Sequence, residues 1–72
     1  MFTPLRAARL NRQQTLQQVA DAVDVDVGHL SRVETGRQMA SPELAARLAG
    51  YYGYDVTEVQ ILYPERFLKK RR

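Results

Sequence analysis

The chain has 72 residues, 44% of them apolar, no cysteine, and a formal charge of +3. That length gives one small domain with a thin core; the apolar content excludes a disordered chain, and the missing thiols exclude a disulfide framework or a thiolate metal site. No apolar run approaches the roughly 20 residues that span a bilayer, and the N-terminus lacks the charged-then-apolar layout of a secretory signal, so a cytoplasmic protein is expected.

Thr3-Pro4 opens a first helix: threonine caps, and proline suits the first helical position, where an N–H has no partner in any case. This helix is expected to reach Leu10 or Asn11, with Leu5 and Ala8 inward. Arg6, Arg9 and Arg12 recur every third residue and on their own read as a solvated basic face. Arg12-Gln13-Gln14 reads as a polar connection. Thr15 starts a second helix, and Gln18 three residues on completes a capping box. Leu16, Val19, Ala20 and Val23 form its apolar face. Asp24-Val25 turns the chain. Asp26 caps a third helix, in which Leu30 and Val33 face inward and which Gly36 terminates. Between those inward positions stand Val27, Gly28, His29, Ser31 and Arg32, which have no core to fill and are free to touch another molecule.

Arg37-Gln38-Met39-Ala40 is a loop. Ser41-Pro42-Glu43 then supplies a cap, a first-turn proline and an acid at the positive end of the helix dipole. Leu44, Ala45, Leu48, Ala49 and Tyr52 give this fourth helix its inward face, and Gly53 closes it. A short fifth helix is expected from about Thr57, with Val59 and Leu62 inward and Pro64 as its end. Five helices and no strand, joined by short connections, predict an all-α, compact five-helix bundle over residues 1–64. Residues 65–72 form a basic tail, with Phe67 and Leu68 as its apolar anchors. Four of the 11 basic residues are Lys69, Lys70, Arg71 and Arg72, so the chain before them carries seven basic against eight acidic side chains. The basicity belongs to the tail, which is either a solubilising end or an arm laid along phosphates.

The run Q-Q-V-A-D-A-V-x-V-D-x-x-x-L-S-R-V-E-T-G-R, from Gln17 to Arg37, resembles the helix-turn-helix of phage repressors, Cro proteins and the wider XRE-type regulators. The following S-P-E-L-A-A-R-L-A-x-x-Y-G-Y, Ser41 to Tyr54, is similar to that family's fourth helix, and Arg9 falls where the family carries an arginine in its first. The resemblance spans residues 5–62. It implies a lambda-repressor-like fold and a regulator whose third helix lies in the major groove of double-stranded DNA. It also implies that Val27, Gly28, His29, Ser31 and Arg32 meet base edges. Arg32 is foremost, because its planar fork matches the O6 and N7 acceptors of guanine; Val27 either touches a thymine methyl or packs at the turn. Thr15 and Gln17, at the start of the second helix, and Thr35, Arg37 and Gln38, beyond the third, would hold phosphates. Arg9 and Glu34 would pair across the core in a structural role. The chain departs from the family at Asp24, where glycine is usual, and at Leu16, where relatives often carry a phosphate-binding glutamine. Asp24 and Asp26 also put negative charge beside the DNA face.

Three functions follow from this resemblance. The first is a Cro-like repressor that binds a palindromic operator as a homodimer, paired through Val56, Val59, Ile61, Tyr63 and Phe67, whose plain reading is core and chain-end packing. The second is a transcriptional activator of the restriction–modification controller type. The third is a protein-binding module on the same fold, an antitoxin or antirepressor, motivated by the acidic residues and the tyrosines. His29 is the one histidine and has no ligand partners at metal-binding spacing; no nucleophile–base pair or glycine phosphate loop is present either. No enzyme activity, metal, cofactor or small-molecule ligand is therefore expected.

Overall fold

Every helix begins on a short polar side chain, and the computed structural model, which describes residues 2–67, shows what each cap holds. In α1 (Pro4–Asn11), Thr3 Oγ1 accepts from the Arg6 N–H at 3.2 Å. In α2 (Leu16–Val23) the box is reciprocal: Gln18 N–H donates to Thr15 Oγ1 at 3.1 Å and Thr15 N–H to Gln18 Oε1 at 2.8 Å. Asp26 caps α3 (Val27–Glu34), taking the His29 N–H at 3.1 Å. Ser41 caps α4 (Pro42–Tyr51), and Thr57 with Gln60 makes a second capping box on α5 (Glu58–Leu62). These side chains satisfy donors that a helix start otherwise leaves without a partner.

Four helix ends share one geometry as well. The residue that leaves the helix is left-handed: Gln13 (φ 56°), Asp24 (φ 58°), Gly36 (φ 79°) and Gly53 (φ 60°). Each reversal lets two successive N–H groups return to carbonyls of the last turn. After α3, Gly36 donates to Val33 O and Arg37 to Arg32 O; after α2, Asp24 donates to Asp21 O and Val25 to Ala20 O. This is the Schellman arrangement, for which glycine is the easiest residue. Asp24 carries it in the helix-turn-helix with a side chain that tolerates the left-handed region better than most.

The inward faces meet in one core. Leu5, Val19, Leu30, Leu48 and Tyr52 are fully buried in it, one from each of α1 to α4 and one from the α4 C-cap. α4 lies against both α2 and α5, while α1 also packs on α5. Polar ties then join the helices, two of them fixing the helix-turn-helix pair to this frame. The Thr3 hydroxyl donates to the Glu34 carbonyl at 2.6 Å, so the α1 cap also holds the end of α3. Arg47 of α4 donates from Nη1 to Val23 O at 2.9 Å and closes the end of α2. Arg12 donates from Nη2 to Tyr52 O at 2.9 Å, which satisfies a carbonyl at the end of α4. None of these three ties follows from the sequence pattern.

The fifth helix corrects two expectations. Val59 is 49% exposed rather than inward, and the buried residues are Ile61 at 4% and Val56 at 1%. At 3.6 residues per turn, positions 59 and 61 point about 200° apart, so only one of them can face the core. Val56 and Ile61 are thus core residues and drop out of the dimer candidates, while Val59, Tyr63 and Phe67 remain at the surface. Helical structure also continues past residue 64, in a 3-10 turn, Pro64–Phe67, that packs against α5. The basic residues Lys69, Lys70, Arg71 and Arg72, with Leu68, lie outside the described residues. Among the described residues there is no strand, and no helix is long and apolar enough to cross a membrane.

Candidate nucleic-acid interface

α2 and α3 pack against each other across the Asp24 turn, leaving one side of α3 outward. Arg32 is exposed on that side; Gly28, His29 and Ser31 are half-buried around it. Val27 departs from expectation, since it packs partly against the core and so does have a core surface to fill. Its place at the first helical position, beside the similarly packed Val25, turns it toward the turn. Asp26 Oδ2 is used by the His29 N–H, and Asp24 is the left-handed residue, so each of the two acids beside this face has a local conformational role.

The residues expected at phosphates divide into two groups. Thr15 is exposed, but its hydroxyl oxygen accepts from the Gln18 N–H. Gln17 is exposed and donates from Nε2 to Asp21 Oδ1 at 2.8 Å, one turn along its own helix. Arg37 is exposed and makes no side-chain hydrogen bond to another described residue. Thr35 departs from expectation: its hydroxyl donates to Ser31 O at 3.1 Å and to Arg32 O at 3.2 Å, so its proton caps α3. Gln38 is exposed, and its Oε1 accepts from Arg32 Nε at 2.8 Å.

Beneath this face lies the Arg9–Glu34 pair. Arg9 Nε donates to both carboxylate oxygens, at 3.0 and 2.9 Å, and Nη1 donates to Gln14 O at 2.9 Å. Burial pushes the Glu34 carboxyl above its ordinary value, against the opposing pull of the Arg9 hydrogen bond and charge. The neighbouring Tyr52 hydroxyl is pushed up to about 12, by burial first and by Glu34 second, and it has no hydrogen-bond partner. These groups are sealed under the helices, where they serve α3 from behind rather than a ligand.

The outer face has the chemistry of surface recognition. Among the described residues no three His, Cys, Asp or Glu side chains are placed to share a metal ion. A groove of about 100 Å³ opens between Met39 and Leu62, below the roughly 300–1,000 Å³ of a small-molecule site. A family model described as a helix-turn-helix domain matches residues 4–62. The chain belongs to the helix-turn-helix domain family. It is a family of recognition domains rather than of enzymes, in keeping with a face built from a guanidinium, an imidazole and a hydroxyl on a capped helix. The chain is also similar to the transcriptional regulator ClgR from two strains of Mycobacterium tuberculosis, 34% identical over 68 residues, a match covering 94% of this chain and 61% of each relative. It thus spans about three-fifths of the length of the curated relatives it matches. No solved structure matches the chain at the same level of significance.

Sequence reasoning missed Thr3 and Arg47 as ties that hold the helix-turn-helix, and Arg12 as a tie between α1 and α4. Thr3 was legible as a cap, but the second use of its hydroxyl, as a donor to α3, needs the fold. Arg12 near the end of α1 had a local signal, a cation close to helix carbonyls, though those carbonyls belong to α4.

Proposed function

We propose that the chain is a sequence-specific DNA-binding transcriptional regulator that reads the major groove with α3. The observation that carries this reading is the exposed Arg32 guanidinium on a helix capped at both ends within a helix-turn-helix. A helix about 10–12 Å across fits a major groove about 12 Å wide. Arg32 reads guanine, with His29 and Ser31 at neighbouring edges and Gly28 allowing close approach. Val27 keeps mainly its packing role. The N-terminal N–H groups of α2, with Thr15 and Gln17, face phosphates on one side of the groove, and Arg37 faces them on the other. The relatives named as transcriptional regulators support the same class of function.

The finer reading is a homodimer on a palindromic operator, with two copies of α3 about 34 Å apart on one face of the duplex. Val59, Tyr63 and Phe67, exposed by 49%, 39% and 44%, are the residues available to join the copies. Occlusion of a promoter by the bound dimer would make it a Cro-like repressor acting in the cytoplasm of a bacterial or phage-infected cell. Selection from random duplex DNA tests this, with a palindromic consensus as the expected result. Arg32→Ala should then lose about 1–3 kcal/mol of discrimination at one base pair of each half-site. Absence of enrichment even at low salt overturns the DNA reading.

A protein-binding role is the competing reading, favoured by one observation: Asp21, Asp24 and Asp26 are all exposed at the α2–α3 corner. DNA binding weakens steeply with salt through counterion release, so a partner retained at high salt with no DNA selected would establish that reading instead.

A further inference from the structure

Arg32 is restrained at both its backbone and its side chain by the same neighbour. Gly36 reverses the chain at φ 79°, and the N–H groups of Arg37 and Gln38 then both donate to Arg32 O, at 2.9 and 3.2 Å. With its backbone anchored there, Gln38 places Oε1 2.8 Å from Arg32 Nε. Side chains on a helix lean toward its N-terminus, so Arg32 runs back over Gly28, one turn earlier. A β-carbon added at Gly28 would stand 3.5 Å from Arg32 Nη1 and 3.0 Å from Asp26 Oδ2. The guanidinium therefore lies over the only outward position of α3 that has no side chain.

We infer that Gln38 is a positioning residue for Arg32, holding its guanidinium ready for a guanine edge, and is not a phosphate contact; this rests on the DNA reading above. The bond from Gln38 occupies Nε and leaves both Nη groups, whose outer N–H pair spans the O6 and N7 acceptors of guanine. An unrestrained surface arginine samples many rotamers, and binding must order it. Here the ordering precedes contact, set by the hydrogen bond from Arg32 Nε to Gln38 Oε1.

Gln38→Ala, Arg32→Ala and the double variant test this on two duplexes, the selected site and the same site with the guanine replaced by adenine. Gln38→Ala should lower the preference for guanine about two- to tenfold, the range expected for ordering one long side chain on binding. Its salt slope should not change, and it should cost nothing further in the Arg32→Ala background. Equal weakening on both duplexes is the signature of a phosphate contact and overturns the inference. In the free protein, the Arg32 Nε–H resonance should shift in Gln38→Ala; an unmoved resonance overturns the contact whatever DNA does. If the wild type selects no duplex, the DNA reading falls and this inference with it. If guanine preference depends on Arg32 and survives Gln38→Ala, only the inference falls.

Discussion

Arg9→Met isolates the interaction that holds the reading helix from beneath. In the wild type the guanidinium engages both oxygens of Glu34, whose side chain is 2% exposed, and also Gln14 O. Methionine keeps the apolar stem and removes all three hydrogen bonds, leaving a buried carboxylate without a counter-charge. Breaking a buried pair in this way costs about 3–5 kcal/mol. A domain of this size has roughly 4–11 kcal/mol in total, at about 0.05–0.15 kcal/mol per residue, so one substitution removes much of the margin. The pair itself contributes far less, because exchanging both partners for apolar residues is commonly neutral or favourable. Arg9→Met combined with Glu34→Leu should therefore recover most of the loss. Urea unfolding followed by far-UV circular dichroism gives all three values. The loss must also depend on pH. Glu34 is already raised above 4.5 when folded, and without Arg9 it rises further. A raised carboxyl contributes stability that is complete below its unfolded value and lost as pH rises through the folded one. Arg9→Met should accordingly be most damaging near neutral pH and much milder at about pH 4. A loss under about 1 kcal/mol, or one that does not vary with pH, would show that water screens the pair and refute the argument.

Thr3→Val removes both the α1 cap and the donor to Glu34 O, and thermal unfolding should show a loss of about 1–3 kcal/mol. Gln13→Gly relieves a left-handed glutamine at φ 56° and should raise stability by roughly 0.5–1 kcal/mol in urea, the strain outweighing the added freedom of the unfolded chain. Tyr52→Phe deletes a buried hydroxyl that has no partner and should be at least as stable as the wild type at neutral pH. With Tyr52 at about 12 when folded against 10.0 unfolded, its contribution is complete below the lower value and lost toward the upper one. The wild type should therefore lose stability relative to Tyr52→Phe as pH rises across that window.

What was legible in the sequence was whatever depends on neighbours along the chain. Thr3, Thr15, Asp26, Ser41 and Thr57 each precede a helix whose donors they take, and the glycines at 36 and 53 each end one. The family pattern added a long-range element, since Arg9 and Glu34, 25 residues apart, meet in the structure. Failures came where a local pattern had two equally good phases or where a side chain served another element. A five-residue helix gives too little periodicity to choose between Val59 and Ile61 as its inward residue. Thr35 and Gln38 resemble surface polar residues in sequence, yet one caps α3 and the other binds Arg32. Arg47 sits on a polar face of α4, and only the crossing of α4 over α2 gives it Val23 O as an acceptor.

Charge is the remaining constraint on the proposed DNA reading. Of the outward residues at this face, Arg32 and Arg37 are cationic, while Asp21, Asp24 and Asp26 stand at the adjoining corner. Before the last four residues the chain holds eight acids against seven bases. A body of that kind gains little from non-specific attraction to the phosphate backbone, so recognition by α3 needs cations from elsewhere or a second subunit. Residues 69–72 supply four cations per copy. Each cation that neutralises a phosphate adds about 0.9 to the steepness of log K against log salt. With Arg32 on a base edge, Arg37 alone would support a slope of about −1 per subunit, and full engagement of the four tail cations would bring it to about −4.5. Removing residues 69–72 should thus flatten the slope and weaken all duplexes equally, while the preference at the Arg32 position stays intact. An unchanged slope would confine the contact to α3 and its flanks, and the pairing of two subunits would then have to supply the missing affinity.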